Sequence, residues 1–336
     1  MTLIEQIPEN SKLLVAVSGG PDSVYLLYQL VELAPKKNFS LVVGHYNHRV
    51  RKEAADGDEN FVIDLAKKNN LSVVVEKNDD LMDQSENGLR KKRYSFLQKT
   101  KVKHNCDFIV TAHTRDDQIE TIIFNFIRGT GPKGLIGIKW KNGDLLRPLL
   151  DVDKGQILQF LQEKNYLFCN DQTNYQLDYT RNYIRQIIVP QIARINPNYR
   201  EGIGNLSEIV ARQQDFVNEQ MLLVLRKIIL WVVGPIEKWK EIVEVGLVKK
   251  KKRMICLDLK KFNNRHVLLR TSILYYLIFP LVPEGKQLNS KQIIEVDNIL
   301  QKARGGSKKI LFDTLSIEKK NGKITVYKLV TKQKNK

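Results

Sequence analysis

The chain has 336 residues, 42% of them apolar, which is enough for two domains with proper cores and excludes a disordered or fibrous protein. Lys and Arg number 55 against 37 Asp and Glu, a net charge of +18 that points to a polyanionic partner, of which nucleic acid is the usual one. Cys106, Cys169 and Cys256 stand far apart with no C-x-x-C, which argues against a disulfide framework, a zinc ribbon or a redox pair. The N-terminal residues lack the pattern of a secretory leader and no apolar run reaches membrane-spanning length, so the expected location is the cytoplasm.

In chain order, the first apolar run, 13–17, ends in Ser18-Gly19-Gly20-Pro21-Asp22-Ser23, and a helical pattern starts at once and runs to about 34. Strand, small-residue loop and helix in succession suit a pyrophosphate: glycines let the backbone come close, and a helix start offers unpaired N–H groups and a positive dipole end. The loop is neither a Walker loop nor a dinucleotide fingerprint, and an ordinary Gly-rich turn is the plainer reading. Strand-like runs recur at 41–45, 72–76 and 108–112, with helical patterns at about 53–69, 87–103 and 115–128. This alternation predicts an α/β fold with a doubly wound parallel sheet, whose ligands sit beyond the carboxyl ends of the strands. Further helices are expected at 154–164, at 181–195 with Pro190 kinking or ending it, and at 199–230. After Gly234-Pro235 the composition changes. A basic run at 249–253 precedes a strand-like MICLDL, helical patterns at about 265–279 and 290–303, and a closing strand pair at 310–317 and 323–328. The expected organisation is a catalytic domain over 1–198, a helical linker over 199–234 and a smaller α+β domain over 235–336.

The polar groups after the strands fall on one sheet edge. His113, Asp116, Asp117 and Glu120 have the spacing of one helix face, and the crowded carboxylates call for a cation, either Mg²⁺ or a substrate amine; a solvated acidic face is the alternative. His45 and His48 lack a third ligand of fixed spacing, which disfavours a metal, while Arg49 and Arg51 suit phosphate contact. Arg128 with Gly129 and Gly131 is either a helix stop or a loop over the site. Arg90 and Arg93 with Tyr94, then Arg181 and Arg185, then Lys249–Arg253 and 304–309 supply further basic surface suited to an RNA backbone or to solvent.

Taken together, SGGPDS, HYNHRVR, SENGLRKKRYSFL, TAHTRDDQIET, FIRGTGPKGLIGI, RPLLD and DYTRNYIRQIIVP resemble, in this order, the tRNA(Ile)-lysidine synthetase family of the PP-loop, or N-type ATP pyrophosphatase, superfamily. The resemblance is specific over about 12–195 and weaker to about 330, where the last segment is similar to that family's tRNA-binding domain. It implies that ATP adenylates the wobble cytidine of a CAU anticodon in tRNA(Ile), and that free lysine then displaces AMP to give lysidine. By the same resemblance Ser18, Gly19, Gly20, Pro21, Asp22 and Ser23 hold ATP, with Asp22 on Mg²⁺, and Asp22, His113, Asp117, Glu120 and Arg128 are catalytic. His45, His48, Arg51, Arg93, Asp116, Arg181, Arg185, Lys250 and Arg253 are candidates for lysine or tRNA contact, and a homodimer is compatible with the reading. A tRNA thiolase of the same superfamily is the alternative; the lack of paired cysteines counts against it.

Overall fold

The structure is a computed structural model that describes residues 2–49, 52–78, 85–169, 180–233, 254–283, 285–302 and 306–329. The chain divides into two units, Met1–Ala211 and Arg212–Lys336.

The first unit starts with β1 (Lys12–Ala16), α1 (Pro21–Lys37), β2 (Ser40–Asn47), α2 (Lys52–Lys68), β3 (Ser72–Lys77), α3 (Glu86–Lys103), β4 (Phe108–Val110) and α4 (Arg115–Ile127). There follow α5 (Pro132–Leu135), β5 (Lys141–Asn142), β6 (Leu145–Leu146), α6 (Lys154–Glu163), α7 (Thr180–Tyr183), a π-helical turn at Ile184–Ile188, α8 (Val189–Ile195) and α9 (Tyr199–Ile228). The sheet order is β3-β2-β1-β4-β6-β5, parallel throughout except for β5. The run in β1 is apolar on both faces because both faces are covered: Leu13 and Val15 pack with Leu26, Leu27 and Leu30 of α1, while Leu14 packs with Phe96 and Leu97 of α3. β1 pairs with β2 on one side and β4 on the other, so the connections reverse direction there and open a crevice at the carboxyl ends of these two strands.

Three local features depart from the sequence reading. The β5–β6 hairpin adds two strands to the sheet, each too short to register as an apolar run. Pro190 does not end its helix; the local distortion is a π-helical turn just before it. The proline sits at the start of α8, directly after the π-helical turn, in which the Val189 N–H donates to Ile184 O; the widened turn accommodates a residue that cannot donate a hydrogen bond of its own. α9 stops at Ile228, and Ile229–Val233, rich in β-branched and aromatic residues, forms a strand instead of a last helical turn.

The unit boundary falls inside α9, and its residues Met221, Leu225 and Ile228 lie in the core of the second unit. That unit contains β7 (Ile229–Val233), β8 (Met254–Asp258), α10 (Leu259–Asn263), α11 (Val267–Ile278), α12 (Ser290–Lys302), β9 (Ser307–Leu311), β10 (Leu315–Lys320) and β11 (Lys323–Lys328). Its sheet order, β7-β8-β11-β10-β9, is antiparallel, with α11 and α12 packed on it. The single strand expected at 310–317 is two: Phe312 and Asp313, both at φ 55°, turn the chain between β9 and β10.

Candidate active site

The loop after β1 is held by its own small side chains. The Ser18 N–H donates to Ser23 Oγ at 3.1 Å, and that hydroxyl donates to Gly20 O at 2.9 Å. Gly19 has φ +96°, a conformation that L side chains rarely adopt, and a Cβ there would lie 3.3 Å from Cys169 Sγ and 3.6 Å from the Phe61 ring. Gly20 caps α1, Pro21 opens it with a φ already helical, and Asp22 falls in its first turn. Asp22 Oδ1 is buried with no hydrogen-bond partner. Burial, opposed by Lys154 and reinforced by Asp117, pushes the Asp22 carboxyl up to about 6.

Across the crevice, α4 starts in a capping box. The Thr114 N–H donates to Asp117 Oδ2 at 2.9 Å, and Thr114 Oγ1 accepts from the Asp117 N–H. His113 therefore stands before the helix and does not share its face with the three acids; Thr114 is the cap that the spacing argument overlooked, although T-x-x-D is legible in the sequence. The acids are neutralised by arginines of the chain itself. Arg185 donates from Nε to Glu120 Oε1 at 2.6 Å and from Nη2 to Glu120 Oε2 at 2.9 Å and Asp117 Oδ1 at 3.3 Å. Asp116 accepts from Arg200 Nη2 and from the Lys154 N–H, both at 3.0 Å. Burial raises the Glu120 carboxyl despite Arg185. For Arg185, burial works against the charge, but the bond to Glu120 and the charges of Glu120, Asp117 and Asp22 outweigh it and raise its pKa. A cavity of about 280 Å³ opens here, lined by Asp116, Glu120, Lys154, Arg185, Tyr199 and Arg200 among others. That is near the lower bound for small-molecule pockets.

The other predicted residues divide clearly. His113 receives or donates a hydrogen bond with Thr111 Oγ1 at 3.0 Å, and burial lowers its pKa to about 4, so the ring is neutral near pH 7. His45 is buried against Val17 O at 2.8 Å and supports the strand behind the loop. His48, likewise pushed down to about 4 by burial, and Arg93 lie beside Tyr46 and Tyr94 at the outer part of the edge. Arg128 and Arg181 both approach the Phe124 ring, at 5.1 and 6.0 Å, one helical turn beyond Glu120. Arg51, Lys250 and Arg253 lie outside the described residues. Lys154 and Arg200 escaped the sequence reading. For Lys154, the D-x-x-Q capping box of α6 at Asp153 and Gln156 was the available signal; Arg200 offered none. Among the described residues no three His, Cys, Asp or Glu side chains come together as a metal site. No described helix is long and apolar enough to cross a membrane.

Residues 2–192 match the PP-loop domain family. The chain is 37% identical over 221 residues to the tRNA(Ile)-lysidine synthase of Thermosipho africanus, covering 64% of this chain and 52% of that one. It is 30% identical over 307 residues to the enzyme of the same name from Bacillus cereus, covering 88% and 60% respectively. With the Caldanaerobacter subterraneus protein of that name it shares 28% over 335 residues, covering 98% and 68%. The chain thus spans about half the length of several of the curated relatives it matches. Among solved structures, a U34-tRNA thiolase from Methanococcus maripaludis, determined with its iron–sulfur cluster, aligns with a TM-score of 0.52 at 17% identity over 61% of this chain and 74% of that one, a likeness of fold.

Proposed function

The chain belongs to the PP-loop domain family, and on that premise we propose that it uses ATP to activate the wobble cytidine of a CAU-bearing tRNA(Ile) and joins free lysine to it. The observation that carries this reading is the meeting of two sites on one sheet edge. The Ser18–Ser23 loop with its unpartnered Asp22 faces the Arg185-bridged acids of α4, close enough for Asp22 to feel the charges of Asp117, Asp116 and Arg185. One site suits the phosphates, and the other suits a cationic amino acid.

In this reading the Ser18–Ser23 loop and the start of α1 hold the nucleotide phosphates. The cytidine ring carbonyl oxygen attacks the α-phosphorus, and pyrophosphate leaves. The lysine ε-amine then attacks the ring carbon, the carbon–oxygen bond breaks with its electron pair, and AMP departs. The amine must lose a proton, and Asp117 and Glu120 are the carboxylates at hand to accept it. Arg185 holds the place of a substrate ammonium, so lysine enters by competing for Glu120 and Asp117. The buried, unpartnered Asp22 Oδ1 would hold a magnesium ion, which would supply charge neutralisation at the leaving group. Sulfur transfer is less well supported: Cys106 and Cys256 are buried in separate units and Cys169 packs on Gly19, so no cysteine pair lines the crevice.

The test is transfer of labelled lysine to transcribed tRNA(Ile) bearing CAU, in the presence of ATP and Mg²⁺. Label in the RNA and release of AMP are expected. Folded protein that forms AMP without incorporating lysine would leave adenylation standing and overturn the choice of nucleophile.

A further inference from the structure

On the same sheet edge, a second group of charges has no carboxylate partner among the described residues. Arg90 and Arg93 lie in the first turns of α3, which begins at the carboxyl edge of the sheet, and Arg147 directly follows β6 on that edge. Arg90 and Arg93 both lie over the Tyr94 ring, their Cζ atoms 5.1 and 5.7 Å from its centre. Arg147 is only 7% exposed; Nη1 donates to Lys139 O at 2.8 Å, while Nε is buried without a partner. Among the described residues no carboxylate pairs with any of these three arginines, although the crevice next door pairs Arg115, Arg185 and Arg200 with acids. His48 Nδ1 is also buried and unpartnered, and the Tyr94 hydroxyl, buried beside the Arg147 guanidinium, has no acceptor for its own O–H. Burial and the neighbouring Arg90 hold the Arg147 pKa down, with Tyr94 the one group opposing them, and His113 feels Arg147, Arg90 and Arg93 on one side and Asp117 on the other. Uncompensated buried cations are costly, and unsatisfied polar atoms are rare in folded proteins. Here both occur together, next to the reaction site.

We propose that Arg90, Arg93 and Arg147, with Tyr94 and His48, form a second anion site, separate from the Ser18–Ser23 loop, that takes a phosphate group. A phosphate brings the acceptor oxygens that the unpaired guanidiniums and the Tyr94 O–H lack, and arginine forks match its geometry. Two sources share this chemistry: a backbone phosphate of a single-stranded RNA segment entering the crevice, or a phosphate of the nucleotide. The site itself follows from the charges on this edge; only the choice of sources rests on the function proposed above.

The experiment measures affinity for a fluorescent RNA stem-loop and, separately, for ATP, in the wild-type protein and in the Arg93→Met and Arg147→Met variants. Methionine keeps much of the volume and relieves the like-charge repulsion, so both variants are expected to melt no lower than wild type without ligand; a merely structural role would lower the melting temperature. A loss of about tenfold in stem-loop affinity, with a salt dependence shallower by about one ion per lost contact, assigns the site to RNA phosphate. A comparable loss for ATP alone assigns it to the nucleotide. Unchanged affinity for both would overturn the proposal. A second measurement avoids substitution: phenylglyoxal labelling of the wild-type protein with peptide mapping is expected to show Arg90 and Arg93 protected by stem-loop or ATP, and protection by neither counts equally against the site. Asp22→Asn, which tests the ATP reading, is expected to leave stem-loop affinity intact, so the two failures are distinguishable.

Discussion

Arg185 and Glu120, 65 positions apart, form a two-pronged ion pair with N···O distances of 2.6 and 2.9 Å at the head of the cavity. The π-helical turn contains Arg185, and α4 contains the almost fully buried Glu120, whose side chain is 7% exposed against 35% for Arg185. Arg185 compensates Glu120 and also reaches Asp117, while the third acid, Asp116, is paired with Arg200.

Removing the guanidinium leaves a buried carboxylate. Arg185→Met is therefore expected to lose about 2–3 kcal/mol in urea unfolding at pH 7.5, below the full cost of breaking a buried pair because Arg185 is partly solvated. Without Arg185 the raised Glu120 pKa rises further. A carboxylate with a raised folded-state pKa destabilises the fold once ionised, so the deficit is expected to shrink as pH falls toward 5. A deficit that does not change with pH would refute this account.

Asp22 gives a second pH signature. Its folded-state pKa of about 6 stands above the ordinary 3.8, so the folded state binds the extra proton between these values and stability falls as pH rises through that window. Asp22→Asn is expected to match wild type below pH 4 and to exceed it above pH 6.5, by up to about 3 kcal/mol. Thermal melts across pH 4–8 would show the gap, and saturating ATP with Mg²⁺ is expected to close it by stabilising only the wild type.

The two loop glycines are not equivalent. Gly19→Ala places a Cβ in a strained conformation against Cys169 and is expected to cost about 1–3 kcal/mol and to weaken ATP binding. Gly20 has φ −69°, and the nearest atom to a Cβ is Ser18 Oγ at 3.6 Å, so Gly20→Ala is expected to cost about 0.5 kcal/mol through the weaker cap alone. Chemical denaturation and calorimetric ATP titration of both variants would expose the difference; equal effects would contradict it.

In the second unit, Arg270 donates to both Asp297 oxygens, at 2.9 and 2.8 Å, and Asp297 is 3% exposed. Arg270→Met leaves that carboxylate stranded and is expected to destabilise this unit by about 3–5 kcal/mol. Hydrogen exchange should quicken within residues 212–336, while ATP binding stays at the wild-type value.

The repeating units of the fold were legible because each depends on local pattern. Apolar runs such as that of β1 signal strands buried on both faces, and Gly20-Pro21 signals a helix start. The parts that escaped were too short or depended on partners. Leu145–Leu146 is a strand only because β4 lies beside it, and Phe312–Asp313 is a turn only because β9 and β10 pair across it. His113, Asp116, Asp117 and Glu120 had helical spacing, yet the helix begins after Thr114, because a capping hydroxyl and not hydrophobic period sets where a helix starts.

The sequence by itself determined the alternation of the longer strands and helices, the small-residue loop Ser18–Ser23 ahead of a helix start and the presence of three acids after the fourth strand, since each is written in contiguous residues. Only the tertiary structure decided which charges cancel. It paired Arg185 with Glu120 and Arg200 with Asp116, and left Arg90, Arg93 and Arg147 without an acid among the described residues. The reason is physical: a carboxylate's partner is fixed by distance and burial, and those are set when strands and helices far apart in the chain come to share one sheet edge.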